Sequence, residues 1–155
     1  MEKLETGIAG FDAVSEGGLP EGRTTLLSGT AGSGKSTFAT QFVIEGIQRY
    51  GQHGVLIVVE ESPEDLAANM KGFGWDMAEM QRQGQLVLID ASADNQADRL
   101  EVGHYDLGGL IARIKYAADK VGAKRLALDS LDALVAQFAD PATVRREMLR
   151  VIEAF

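Results

Sequence analysis

The chain has 155 residues, with 15 Lys+Arg against 23 Asp+Glu, a net charge of −8 and no cysteine. The length fits one domain, and an apolar fraction of 45% can furnish a buried core. This composition excludes disulfide scaffolds and thiolate metal sites, no run reaches the ~18 apolar residues of a membrane span, and the acidic balance withholds the usual electrostatic drive toward nucleic acid.

Taken in chain order, the sequence alternates strand and helix. An irregular lead ending in GGLPEG (17–22) precedes Arg23–Ser28, whose β-branched and aliphatic residues predict a buried strand. Phe38, Phe42, Gly46 and Ile47 fall near helical spacing, predicting a helix over 35–50 that Gly51 ends. Val55–Val59 is a continuous apolar run, the pattern of a strand covered on both faces. Ser62 and Pro63 open the next helix as N-cap and first residue, with Glu64 and Asp65 on its positive end. A short helix is expected over 75–83, then a third strand over 86–89. A helix over 107–121 presents Leu107, Leu110, Ile111, Ile114, Ala118 and Val121 on one face. Arg125–Asp129 is the fourth strand, and Asp140-Pro141 opens a last helix. Strands separated by helices imply βαβ crossovers, an α/β fold with a mostly parallel sheet and helices on both faces.

Two motifs carry chemistry. Gly29-Thr30-Ala31-Gly32-Ser33-Gly34-Lys35-Ser36 is a complete G-x-x-x-x-G-K-[ST] loop between an expected strand and a helix, followed by Thr37. Glycines let the backbone curl so that successive N–H groups face a polyphosphate, and the helix N-terminus adds partial positive charge. Lys35 would reach the β- and γ-phosphates, and Ser36 would give a hydroxyl oxygen to Mg²⁺. The second motif is the acid Asp129, which ends an apolar strand and reads as a Walker B residue holding Mg²⁺ through water.

Glu60 and Glu61 follow the second strand. Alternation sends neighbouring strand side chains to opposite faces, so one of them could orient water at the γ-phosphate; Asp90, ending the third strand, competes for that role. No guanine-reading N-K-x-D follows, which favours adenine. Phe73-Gly74-Trp75 reads as core or interface packing, Arg145-Arg146-Glu147 as a solvated or subunit-facing charge cluster on a helix, and His104 as a loop residue without chemistry.

With these residues in place, the chain resembles the first (CI) ATPase domain of the KaiC family of circadian clock proteins, which are RecA-like P-loop ATPases. The matching phrases run in order: TGIAGFD, GGLPEGRTTLLSGTAGSGKST, VVEES, FGWD, LIDAS, YDLGGLIARI, LALDSLDAL and VRREMLRVIEAF, together covering Thr6 to Phe155. The resemblance implies a ring-shaped homohexamer with ATP, the precursor of the ADP product, bound between subunits. It implies that Glu60 is the water-activating glutamate, with Glu61 beside it. It also makes the segment Ala91 to Tyr105 the counterpart of a loop that helps a KaiB-like partner dock. Finally, it implies that residues 1–155 are the N-terminal part of such a domain. The next strand would then lie between the P-loop strand and the Asp129 strand, and an autokinase function of the parent would belong to a second domain. A cytoplasmic location without membrane or DNA partners is expected. The competing readings are a nucleotide-gated scaffold without turnover and a DNA-dependent ATPase of the RadA/RecA type, the latter disfavoured by the acidic charge and the lack of a Cys zinc motif.

Overall fold

In a computed structural model, residues 2–92, 107–137 and 140–154 are described. The lead that reads as irregular in sequence holds a small module. Strands β1 (Lys3–Leu4) and β2 (Leu19–Pro20) pair antiparallel around helix α1 (Ala9–Val14). Asp12 ties the module together, accepting the Thr6 N–H at 2.9 Å, the Thr6 hydroxyl at 2.6 Å and the Gly7 N–H at 2.9 Å.

Helix α2 (Lys35–Tyr50) spans the residues its periodicity predicts, and Gly51 closes it in the left-handed conformation with φ 62°. Strand β3 (Gly54–Val58) is buried along its whole length. Helix α3 (Pro63–Met70) begins as expected: Ser62 caps it by accepting the Asp65 N–H, and Pro63 is its first residue. A 3-10 turn (Lys71–Phe73) and helix α4 (Met77–Arg82), capped by Asp76, lead to β4 (Leu86–Asp90). Helix α5 (Leu107–Val121) precedes β5 (Arg125–Asp129), which is followed by α6 (Leu131–Val135) and α7 (Pro141–Ala154).

The sheet order is β4-β3-β5 and both pairings are parallel. Because β3 is central, its alternate side chains feed two cores. Leu56 and Val58 pack with Val43, Ile44 and Ile47 of α2 and with Leu66, Met70, Trp75, Met77 and Met80 from α3, α4 and the turn between them. Val55, Ile57 and Val59 face Leu107, Leu110 and Ile114 of α5, with Leu134 and Val151 closing that side. Helices therefore cover both faces, which is why β3 could be apolar at every position. Among the described residues no helix is long and apolar enough to cross a membrane.

One expected strand does not form. Arg23–Ser28 has no ladder and lies exposed, with Leu26 at 73% and Leu27 at 42% exposure. A strand needs a neighbour for its N–H and C=O groups. β5 pairs with β3 along one edge, and among the described residues no strand lies along the other to bridge to Arg23–Ser28. Residue composition encoded a strand-like segment, and pairing decided that it has no partner here.

Candidate functional site

Parallel packing sends the C-terminal ends of all three strands to one edge of the sheet. Val58 stands in register with Asp90 on one side and Asp129 on the other. The ladder continues one step further: the Val59 N–H donates to the Asp129 carbonyl at 2.9 Å, and the Ala91 N–H to the Val58 carbonyl at 2.8 Å. Glu60 and Glu61 leave the sheet immediately beyond, so Asp90, Glu60, Glu61 and Asp129 gather at one edge. Sequence reasoning set Asp90 against Glu60 and Glu61 as candidates for one role and gave Asp129 another; register places all four strand ends side by side.

Their environments differ. The Glu60 side chain is exposed, while Glu61 is half-buried and accepts a hydrogen bond from Asn69 Nδ2 at 3.2 Å. Burial pushes the Glu61 carboxyl up; Asn69 opposes, and the negative charges of Asp129, Asp65 and Glu60 push the same way as burial. Asp129 is half-buried, and Ser130 after it caps α6 by accepting the Ala133 N–H at 3.2 Å.

The glycine-rich loop opens α2. Gly32 (φ 77°) and Gly34 (φ 87°) adopt left-handed backbone that a side chain would strain, and that curl turns the chain into the helix. Gly34 is the N-cap and offers no side-chain acceptor, so among the described residues the first turn of α2 has no side-chain cap. Lys35 folds back, its Nζ donating to the Gly29 carbonyl at 2.8 Å and the Thr30 carbonyl at 3.0 Å. Thr30, Ala31, Gly32, Ser33 and Gly34 are exposed, and Lys35, Ser36 and Thr37 are half-buried. An uncapped helix start, a local cation and an exposed glycine curl fit an anionic phosphate chain.

Among the described residues, no three His, Asp or Glu side chains converge on a metal position. Mg²⁺ needs no such cluster, since it takes one or two protein oxygens and fills its octahedron with waters and phosphate oxygens. Ser36 and Asp129 are the residues that would hold it, Asp129 through water.

The remaining candidates fall elsewhere. Phe73 stacks on Trp75 with centroids 4.9 Å apart; Trp75 is core and Phe73 is 57% exposed. Glu147 pairs with Arg146 at 3.2 Å and Arg150 at 2.8 Å on α7. His104, and the 91–105 segment apart from Ala91 and Ser92, lie outside the described residues. Arg125 was missed as more than the first residue of a strand. Its only signal was a charge opening an otherwise apolar run.

A model of the KaiC ATPase family matches residues 4–155. The chain is 51% identical over 154 residues to circadian clock protein KaiC3 of Synechocystis, covering 99% of this chain and 30% of that protein. It is 45% identical over 152 residues to the circadian clock oscillator protein KaiC of Prochlorococcus marinus, covering 98% of this chain and 30% of that protein. It is 43% identical over 152 residues to KaiC of Synechococcus elongatus, covering 98% of this chain and 29% of that protein. The chain thus spans about 30% of the length of these relatives. With a family match across nearly all of its length, and helices on both faces of a parallel sheet, the chain belongs to the KaiC family of ATPase domains.

Proposed function

We propose that this domain binds ATP with Mg²⁺ and hydrolyses it slowly to ADP and phosphate. The observation that carries the reading is the pairing of two features: an uncapped, glycine-curled start to α2 holding Lys35 and Ser36, and a sheet edge that gathers Asp129 with Glu60 and Glu61. Thr30 to Thr37 would cradle the phosphates through backbone N–H groups. Lys35 would exchange its loop carbonyls for phosphate oxygens, a trade of neutral acceptors for charged ones. Bound Mg²⁺ would supply charge neutralisation on the phosphate oxygens. Ser36 and Asp129 would orient its shell. Glu60, exposed and so placed to meet water, would take a proton from the attacking water, with Glu61 beside it holding the local negative field.

The proposal extends to assembly. ATP would sit between subunits of a homohexameric ring, and the output would be circadian or timer-type signalling in the cytoplasm. The 91–105 segment would offer a docking place to a KaiB-like partner. No DNA or membrane partner and no protein-kinase chemistry is proposed for residues 1–155.

Steady-state phosphate release by wild type and Glu60→Gln tests the reading. Wild type should turn over, and the variant should lose most of that activity while still binding ATP. If the two release equally little, the domain is a nucleotide-gated scaffold without turnover. A fluorescent single-stranded DNA titration at low salt tests the RadA/RecA alternative, for which the expected result is no binding.

A further inference from the structure

Arg125 is buried at 2% exposure, and no carboxylate pairs with it within salt-bridge distance among the described residues. A buried guanidinium is costly unless its donors are met. Here four acceptors meet four of its five N–H groups: the Glu5 carbonyl at 2.6 Å, the Thr6 carbonyl at 3.1 Å, the Phe42 carbonyl at 2.8 Å and Gln52 Oε1 at 2.8 Å. Two rings flank the group, with its central carbon 4.7 Å from the Phe42 centroid and 5.0 Å from that of Tyr50. Gly46 supplies the gap on α2: a Cβ there would run into Cδ and Nε of Arg125. Tertiary contact chose both residues for one fit.

The three tethered segments bracket the glycine-rich loop. Glu5 and Thr6 follow β1 in the module that leads through β2 toward Gly29. Phe42 lies on α2, about two turns beyond Lys35, or ~10 Å along the axis. Arg125 itself begins β5, and at about 3.3 Å per residue its other end places Asp129 ~13 Å away. One side chain therefore joins the module before the phosphate loop, the helix after it and the strand that carries the metal-side acid.

We propose that Arg125 is a positioning residue that sets the phosphate loop and α2 against Asp129, so that loosening it weakens nucleotide binding from a distance. The proposal rests on the nucleotide-binding reading above. Bond geometry supports it: a Lys at 125 keeps the charge but has a single donor atom for four spread acceptors, and it lacks the planar face that lies between the rings.

The test compares wild type, Lys35→Ala, Arg125→Lys and the milder Gln52→Ala, each at a temperature where far-UV circular dichroism shows full folding. ATP affinity is measured by equilibrium dialysis, and amide hydrogen exchange is followed without nucleotide. Arg125→Lys should weaken ATP binding at least tenfold and Gln52→Ala about threefold. Exchange should accelerate at 5–7 and 38–42 while 86–90 on the far strand stays as in wild type. A purely structural role would also speed exchange around the lost Phe42 contact, but it would leave ATP affinity at the wild-type value in the folded variants. If wild type binds ATP and Lys35→Ala does not, wild-type affinity in Arg125→Lys overturns the positioning role alone. If wild type does not bind ATP, the nucleotide reading fails first and this proposal with it. Should Arg125→Lys not fold, Gln52→Ala decides: wild-type ATP affinity, whatever its exchange at 38–42, overturns the proposal.

Discussion

The Val59 N–H donates to the carbonyl of Asp129 at 2.9 Å, so the backbone that releases Glu60 and Glu61 is pinned to the end of β5. The two glutamates thus leave the sheet from a place fixed relative to Asp129. Glu61 feels the result: burial raises its pKa above the ordinary value of 4.5, Asn69 works against that, and Asp129 adds to it.

That shift makes a pH prediction. A carboxyl raised in the folded state contributes stability that is fully present below its unfolded pKa and lost as pH rises through the folded one. Wild type should therefore lose stability upward from about pH 4.5 relative to Glu61→Gln, which cannot ionise. Thermal melts from pH 4 to 7 should show the variant's Tm gaining on wild type with pH. A constant Tm difference across that range would contradict the assignment.

Lys35→Ala should weaken ATP binding at least tenfold, or about 1.4 kcal/mol. The Nζ bonds it loses go to exposed loop carbonyls that water can satisfy, so the fold should persist. Equilibrium dialysis beside circular dichroism checks both halves. Equal affinities would sink the phosphate-loop assignment.

Asp12 shifts the other way. Burial pushes its carboxyl up, but the Thr6 hydroxyl, the Thr6 and Gly7 N–H groups and the charge of Arg125 outweigh it and hold the pKa below 3.8. A depressed carboxyl contributes stability above its unfolded pKa that is lost as pH falls through the folded one. Asp12→Ala strands three donors on the buried residues Thr6 and Gly7, at a cost of ~1–3 kcal/mol for each that water does not reach, near pH 7. Urea melts should show the gap to wild type narrowing below pH 3.8; a gap that widens there would contradict the sign.

Amide exchange should separate two segments that look alike in sequence. Val55–Val58 is laddered on both edges and buried, so its amides should be among the slowest. Thr24–Ser28 has no ladder and should exchange near the free-peptide rate. A longer chain that supplies a strand between Thr24–Leu27 and β5 should slow those amides by orders of magnitude. Strong protection of 24–28 in the 155-residue monomer would contradict the exposed segment described here.

Local information determined much of this protein. Periodicity placed α2 and α5, because a helix of about 15 residues repeats its apolar face several times. Ser62-Pro63 and Asp140-Pro141 marked helix starts through capping chemistry that needs no distant partner. The curl of the glycine-rich loop was legible for the same reason: Gly32, Gly34 and the Lys35 contacts to Gly29 and Thr30 lie within one contiguous stretch. Tertiary structure decided what depends on pairing. Arg23–Ser28 carries strand residues yet has no strand, since a ladder is a property of two segments. Asp90, Glu60, Glu61 and Asp129 met at one edge only once parallel register was set. Arg125 could not be read at all as a four-way tether. Its partners lie 73 to 120 residues away along the chain, and no short-range pattern records a contact made across that separation.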